Sequence, residues 1–473
     1  MSLNRSFDQL PPEILRDIFV YHVWSNTCSP LDLLYVCKAW YLTAISTSSV
    51  WSKIALSRHE DVASPERIKC SSLKTFALAI QRAGRASLDL TIASSRLSFS
   101  KADIDSFTTD VTSDWVSRCH SLDMTSISAL SGGDQLLKLF YTADFVALEC
   151  LVLRGLVGPI AFEMRELFER LEKTAFRLES LVMGRGSYDW SVSRLPAYPI
   201  ILGRLRSLQV ETDGVLDLSK ASLLDRLSVI TGYGENGIFL PSGTAPRRLT
   251  LENNINFTMF SSRIYGSLTH LTLITTSPWA ANIGMPLFPS LTHLRLGVMF
   301  LNLQEMYAPR LQHLSIEGYP CQPAAYRGPF TLNGLPPKTL YIDRSRTETD
   351  LVQILAQLSS RLEELHIASA RPEHLINDKL TNFLTGGSKH GPGIPGLKRL
   401  LLCSRAPANA TRKATILAKL RRVQLGLAER SVLGRIDYGV YVAYDHTRVA
   451  VPHERREWPV EWAQIWPQQA SFD

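Results

Sequence analysis

The chain has 473 residues, of which 45% are apolar and 20% are charged, so it can bury a large core and is not a disordered protein. Its 51 basic and 44 acidic residues give a net charge of +7, too little over this length to indicate nucleic acid as a partner. No stretch approaches the roughly 18 apolar residues of a membrane span, and no signal-peptide core is present, so we expect an intracellular protein of the cytoplasm or nucleus with no membrane partner.

Three short helices are the first elements that the sequence predicts. Apolar residues recur with helical spacing at positions 14, 15, 18 and 19, and this pattern predicts a helix from Pro12 to about Trp24. A polar break over residues 25–30 precedes two further helices that end at Trp51. A unit of about 45 residues cannot bury all of these side chains by itself, so some of them face a partner or the rest of the chain.

The order of residues in these helices resembles an F-box. Residues 10–19 read L-P-P-E-I-L-R-D-I-F, residues 31–40 read L-D-L-L-Y-V-C-K-A-W, and residues 48–54 read S-S-V-W-S-K-I. The resemblance covers residues 7–56 and implies a helical domain that docks the Skp-type adaptor of an SCF ubiquitin ligase, a complex built on a cullin. The family usually carries an additional arginine near the tryptophan, and this chain does not.

The resemblance also implies which side chains contact the adaptor. Phe19 and Trp51 are expected in the core of the helical module itself. The simpler alternative, a small helical cap with no adaptor, explains the apolar periodicity equally well, but it does not explain the Leu-Pro-Pro-Glu opening together with Cys-Lys-Ala-Trp. Carried over position by position, the adaptor-binding residues are Leu10, Pro11, Ile14, Leu15, Ile18, Val36, Cys37 and Trp40.

A short L-x-x-L-x-L segment recurs through most of the remaining chain. The spacing of its copies is near the roughly 20 to 29 residues that are typical of leucine-rich repeats. The alternation Leu-x-Leu predicts a strand with one buried face in each copy, and stacked copies bury a continuous ladder of leucines. The clearest copies span residues 148–153, 178–183, 205–210, 224–229, 268–273, 291–296, 311–316, 362–367 and 397–402.

The repeats predict the fold class and the domain boundaries. We expect an α/β chain in which a three-helix F-box is followed by a degenerate leucine-rich-repeat-like solenoid, or horseshoe, with a C-terminal cap. The cap is predicted to contain a basic helix over 412–428, a strand over 438–444 and three tryptophans at 458, 462 and 466. The predicted divisions are 7–56 for the F-box, 57–147 for a linker or first irregular repeats, 148–411 for the solenoid and 412–473 for the cap.

The outward positions of the strands provide candidate residues for binding a target protein. Neighbouring strands lie about 4.8 Å apart, so these side chains would form a basic and imidazole-bearing patch bordered by Glu252, Glu317 and Asp343. Such a patch could recognise an acidic or phosphorylated segment, or its members could be ordinary solvated positions. The candidate target-binding residues are Arg226, Arg248, His270, His293, Arg295, His313, Tyr341 and His366.

The sequence does not predict catalysis, a cofactor or a metal. Residues 232–237 match G-x-G-x-x-G, but a dinucleotide site requires a helix to begin there, and the following Ile-Phe-Leu-Pro favours a loop. No P-loop, G-x-S-x-G, H-E-x-x-H or EF-hand pattern occurs. The 7 cysteines are odd in number and never form C-x-x-C, and the histidine column lacks an identifiable carboxylate or cysteine to complete a zinc site.

Three functions remain open at this level. In the first, the chain is the substrate-recognition subunit of an SCF-type ligase, binding the adaptor through its helices and an unidentified target through its repeats, as in fungal-type F-box proteins with leucine-rich repeats. In the second, it is a repeat scaffold with no ubiquitin role, which predicts that the face around Leu10 is buried within the chain. In the third, the glycine-rich segment marks an enzyme, which requires a helix and a ligand pocket after Gly237.

Overall fold

The computed structural model divides the chain into two compact units, residues 1–246 and 247–473, and each is described by itself. The structure describes residues 10–24, 30–57, 67–93, 100–111, 114–125, 140, 143–155, 161–184, 192–212, 216–231, 238–240, 246–253, 262–275, 287–298, 307–317, 336–343, 351–369, 378–384, 394, 396–404, 418 and 437–442.

The first unit opens with three helices, α1 (Pro12–Trp24), α2 (Pro30–Leu33) and α3 (Lys38–Ser46), and a 3₁₀ turn over Ser48–Trp51. Cys37 caps the N-terminus of α3, and its Sγ accepts a hydrogen bond of 3.5 Å from the backbone N–H of Trp40. The Trp40 ring packs against Phe19 with centroids 4.9 Å apart. The buried Trp51 donates from Nε1 to the carbonyl of Ala44 at 2.8 Å, which fixes the turn against α3.

The rest of the first unit is an open parallel sheet with helices between its strands. Along the sheet, the strand order is β2-β1-β3-β4-β5-β6-β7-β9, and β8 pairs with β10 separately. The helices are α4 (Leu73–Arg82), α5 (Lys101–Asp110), α6 (Ala161–Thr174) and α7 (Pro199–Arg204), with 3₁₀ turns at Val116–Arg118 and Val192–Ala197. The strands are β1 (Lys53–Leu56), β2 (Ile68–Cys70), β3 (Leu88–Ala93), β4 (Cys119–Thr125), β5 (Cys150–Arg154), β6 (Ser180–Met183), β7 (Ser207–Thr212), β8 (Leu216–Asp217), β9 (Arg226–Thr231) and β10 (Ile238–Phe239).

The segment between the helical module and the clear repeats contributes to this sheet. Strands β2, β3 and β4 come from it, and β4 pairs in parallel with β5, the first clear repeat. The register places Leu122 beside Leu151 and then Leu181, all fully buried. Strands β3 and β4 therefore extend the leucine ladder to the first clear repeat.

The strands of the second unit also pair in parallel, and consecutive strands are neighbours. Its helices are α8 (Ser262–Ser267), α9 (Leu351–Leu358) and α10 (Asp378–Leu384). The buried ladder runs through Leu271, Leu294 and Leu314, which the register aligns directly. The strands are β11 (Arg248–Asn253), β12 (His270–Thr275), β13 (His293–Val298), β14 (His313–Glu317), β15 (Thr339–Asp343), β16 (Glu364–Ser369), β17 (Arg399–Ser404) and β18 (Asp437–Val442).

The predicted α/β class is confirmed, and each clear L-x-x-L-x-L copy supplies one strand. The strand predicted over 438–444 corresponds to β18, whereas the predicted basic helix (except residue 418) and the three C-terminal tryptophans lie outside the described residues. Every helix in the described ranges is too short or too polar to cross a membrane.

The leucine ladder yields a stability prediction. Replacement of the fully buried Leu294 by Ala should lower the free energy of unfolding by about 2 to 5 kcal/mol, because it removes buried methyl groups and leaves a cavity. The same change at Leu287, which is 65% exposed, should cost less than about 0.5 kcal/mol. Urea denaturation followed by circular dichroism measures both, and equal effects would contradict the assignment of Leu294 to the core.

Candidate functional site

The residues expected to contact an adaptor differ in how exposed their side chains are. Leu15 is only 2% exposed, so it supports α1 from inside and does not face a partner as the resemblance implied. Phe19 and Trp51 are also buried, as expected. Exposed members are Pro11, Ile14 and Val36, and half-buried members are Leu10, Ile18, Cys37 and Trp40.

The helices around these positions contain nearly half of the large apolar side chains that are exposed in the described chain. Seven of the fifteen large apolar side chains that are exposed in the described chain fall within residues 14–42. Isolated apolar residues on a surface need no explanation, but a local concentration of them indicates an interaction site. The exposed apolar residues of this segment, the N-terminal apolar surface, are Ile14, Tyr21, Leu31, Tyr35, Val36, Tyr41 and Leu42.

The sheet of the second unit aligns the positions that the sequence predicted to face outward, but Ser315, Thr339 and His366 among them are buried. The strands pair in parallel without a shift, so residues from successive repeats lie directly beside one another. The first row contains Arg248, His270, His293, His313, Thr339, Glu364 and Arg399. The second row contains Thr250, Thr272, Arg295, Ser315, Tyr341 and His366.

Three histidines of the first row form a stack. The rings of His270 and His293 lie 4.1 Å apart and are nearly parallel, at 7°. The ring centroids of His293 and His313 lie 4.4 Å apart, and the two ring planes are inclined by 22°. All three side chains are half-buried. We call these three residues the histidine stack.

Two of the three rings are held by the threonine that precedes them. Thr269 Oγ1 lies 2.9 Å from His270 Nδ1, and Thr292 Oγ1 lies 2.8 Å from His293 Nδ1. Each hydroxyl also lies within hydrogen-bond distance of a backbone carbonyl, that of Arg247 at 3.1 Å and that of Thr269 at 3.0 Å. Each of these carbonyls in addition accepts two backbone N–H groups, so the threonine side chain joins its histidine ring to the edge of the neighbouring strand.

These threonines are functional candidates that the sequence reasoning missed. Their signal was present in the repeated tetrapeptide Leu-Thr-His-Leu, at residues 268–271 and 291–294. Only the folded structure shows that each hydroxyl contacts both the ring of the following histidine and a backbone carbonyl of the preceding repeat.

The stack carries less positive charge than the sequence suggested. The pKa of His293 is lowered to about 3, first by burial and then by the nearby His270, His313 and Arg248. Burial also lowers the pKa of His313. Both rings are neutral at pH 7, so Arg248 and Arg295 supply the positive charge of this part of the sheet.

Arg295 lies in the second row between two hydroxyl residues. The register places Thr272 on one side and Ser315 on the other. Tyr341 follows Ser315 in the same row and is half-buried. His366 differs from the other candidates because it is 2% exposed and lies 3.7 Å from Glu364, so it does not present a surface for direct contact.

Arg226, the remaining candidate, belongs to the first unit. It lies in a row with Cys150, Ser180 and Ser207. Its guanidinium lies 3.9 Å from the carboxylate of Asp225.

The stack does not have the geometry of a metal centre. Parallel rings point their Nε2 atoms side by side, whereas a zinc ion needs ligands that converge on one point. Within the described ranges, no cluster of three or more His, Cys, Asp or Glu residues could hold a metal ion. The glycine-rich segment 232–237 lies outside those ranges, and Ile238–Phe239 directly after it is a short strand where a dinucleotide site requires a helix.

No model of a known protein family matches the chain, and no curated protein matches it. The assignment of a function depends on the motifs and the geometry described above.

The lowered pKa of His293 predicts a loss of stability in mild acid. In the unfolded chain a histidine with a pKa of 6.5 takes up a proton as the pH falls below that value, while folded His293 stays neutral down to about pH 3. The unfolded state then binds more protons, so the free energy of unfolding falls by at most about 1.4 kcal/mol per pH unit for each such group.

Urea midpoints at pH 7.5, 6.5 and 5.5 test this linkage. His293→Gln should reduce the loss of stability on acidification, and His120→Gln, at an exposed histidine outside the stack, serves as the matched control. An unchanged pH dependence in His293→Gln would show that the pKa of His293 is not lowered in the folded protein.

Proposed function

We propose that this chain is the substrate-recognition subunit of an SCF-type ubiquitin ligase. Its N-terminal helices dock a Skp-type adaptor, and its repeat strands, stacked as a leucine-rich-repeat solenoid, bind a target protein. The chain supplies no catalytic group: a separate enzyme bound to the cullin complex transfers ubiquitin, and the receptor accelerates transfer by holding the target close to that enzyme.

The N-terminal apolar surface is the observation that carries this proposal. Ile14 and Val36, two of the positions that the F-box resemblance assigns to the adaptor, are 47% and 57% exposed. A repeat scaffold with no adaptor predicts that this region is buried within the chain, and its exposure favours docking instead. Phe19 and Trp51 are buried, so they belong to the core of the helical module and are not part of the surface that a partner would contact.

The parallel sheets support the target-binding part of the proposal. In both units each repeat adds one strand, and its outward residues fall into rows that cross several repeats. Extended surfaces of this kind are where repeat proteins bind their partners. The second unit's rows combine arginine, imidazole and hydroxyl groups, which suit a polar segment of another protein.

Adaptor binding by point variants tests the proposal. Purified full chain should bind a purified Skp-type adaptor, and Ile14→Asp and Val36→Asp should each weaken binding at least about tenfold by placing a charge in an apolar interface. The matched control is Leu78→Asp, at a residue that is 46% exposed on α4 and lies outside the N-terminal helices.

Titration calorimetry measures the affinities, and thermal unfolding verifies that each variant is folded. Absence of binding by the folded wild-type chain would overturn the ligase assignment and leave the repeat scaffold. Equal weakening by Leu78→Asp would show that the effect is not specific to the proposed surface.

A further inference from the structure

The turns that lead into strands β13–β17 of the second unit form a line of surface positions that adaptor binding does not use. From β14 onward, the residue before each strand donates its backbone N–H to the carbonyl of the equivalent residue one strand back. These bonds join Lys338 to Gln312, Glu363 to Lys338 and Lys398 to Glu363, at 2.9, 2.8 and 2.7 Å. The positions therefore follow one another at the strand spacing of about 4.8 Å. We call the following residues the entry surface: 287–292, 307–312, 336–338, 361–363 and 396–398.

Four consecutive strands each have one exposed cation at the entry surface. These cations are Arg310 before β14, Lys338 before β15, Arg361 before β16 and Lys398 before β17. The one carboxylate of the entry surface is Glu363, which accepts a hydrogen bond of 2.8 Å from Lys398 Nζ. This bond lowers the pKa of Glu363, and the charges of Lys398 and Lys338 add to the effect. Glu363 therefore stays ionised but offsets one charge of four, and the entry surface is positive.

The positive charge of the whole chain lies in the same unit. Residues 247–473 contain 26 basic and 17 acidic side chains, whereas residues 1–246 contain 25 basic and 27 acidic ones. An acidic partner is therefore attracted to the second unit and not to the first.

Two exposed apolar side chains continue the line at its β13 end. Leu287 and Tyr307, which are 65% and 43% exposed, are paired in a β-bridge at the entries to β13 and β14. Tyr307 directly precedes the turn Ala308–Leu311, which is closed by a backbone hydrogen bond of 3.2 Å and contains Arg310. Tyrosine and arginine are the residues that often contribute most of the energy of a protein interface. The entry surface thus has an apolar pair at one end and cations along the rest.

We propose that the entry surface binds a segment of the target in which apolar residues adjoin a run of acidic residues. The line from β13 to β17 covers four strand spacings, about 19 Å, which an extended peptide of about six residues spans. The apolar residues contact Leu287 and Tyr307, and the carboxylates accept charge-assisted hydrogen bonds from the cations. This inference rests on the proposed function, because the segment belongs to the target. It adds the chemistry of that segment and the place where it binds.

The arrangement favours a peptide over a nucleic acid. A protein that binds a duplex typically neutralises about 6–10 phosphates, whereas the entry surface has four cations with Glu363 among them. Binding of a single strand uses a series of exposed aromatic residues, and the entry surface exposes Tyr307 alone because Phe288 is buried. A peptide can place an uncharged residue beside Glu363, which a phosphate backbone cannot do.

Fluorescence anisotropy of labelled peptides with the full chain tests the proposal. The acidic probe consists of two leucines followed by six alternating aspartates and glutamates, and the amide probe has asparagine and glutamine in their place. At low ionic strength the acidic probe should bind at least about tenfold more tightly, and salt should reduce the difference by screening the charges. Equal affinity for the two probes would overturn the proposal. A single-stranded oligonucleotide of the same charge that binds more tightly than the acidic probe would overturn it as well.

Charge-reversal variants test whether the acidic probe binds at the entry surface. Lys338→Glu and Arg361→Glu should each weaken binding of the acidic probe about three- to tenfold and leave that of the amide probe unchanged. Lys379→Glu, at an exposed lysine on α10 outside the entry surface, changes the net charge equally and is the matched control. Equal weakening by Lys379→Glu would show that overall charge alone attracts the probe, and the proposal would fail.

A further variant tests the apolar pair. Tyr307→Ala should weaken binding of the acidic probe about threefold or more, but it should not affect a probe with glycines in place of the two leucines. An unchanged affinity for the leucine-containing probe would contradict the apolar part of the proposal. Thermal unfolding verifies that each variant is folded.

Adaptor binding measured on the same wild-type preparation distinguishes failure of this inference from failure of the proposed function. Adaptor binding without a preference for the acidic probe contradicts this inference alone. A preference for the acidic probe without adaptor binding contradicts the ligase assignment alone.

Discussion

The in-register stacking of the leucine ladder is the constraint on which the rest of this structure depends. Each Leu-x-Leu segment places its leucines in the core and the residue between them on the opposite face. A slip of one residue would exchange the two faces along a whole strand, so burial of leucines such as Leu271 and Leu294 fixes the register strongly. The rows of outward side chains are a direct consequence of that burial.

The same register brings like groups together, and burial opposes the charge that they could carry. Three histidines at equivalent positions of consecutive repeats must stack, and burial together with their mutual proximity disfavours a charge on His293. The hydroxyls of Thr269 and Thr292 are hydrogen-bonded to the Nδ1 atoms of His270 and His293. The N-terminal helices follow the opposite pattern, because their apolar residues exceed what their small core can bury.

Much of this was predictable because strand periodicity and the repeat spacing are local properties of the sequence. They gave the strands and the row that contains His270, His293 and His313. The burial of Leu15 and His366 was not predictable, because the exposure of a side chain depends on elements distant in sequence. The lowered pKa values of His293 and His313 were hidden for the same reason, since they arise from burial and, for His293, also from the neighbouring rings in three dimensions.

Hydrogen–deuterium exchange of the full chain, with and without a purified Skp-type adaptor, tests the central claim most directly. The account predicts slower exchange in the helices over 12–24 and 38–46 when the adaptor is present, while amides in the strands of the second unit remain unchanged. Unchanged exchange in these helices at saturating adaptor, or protection confined to the sheet, would contradict the assignment of the N-terminal helices as the docking module.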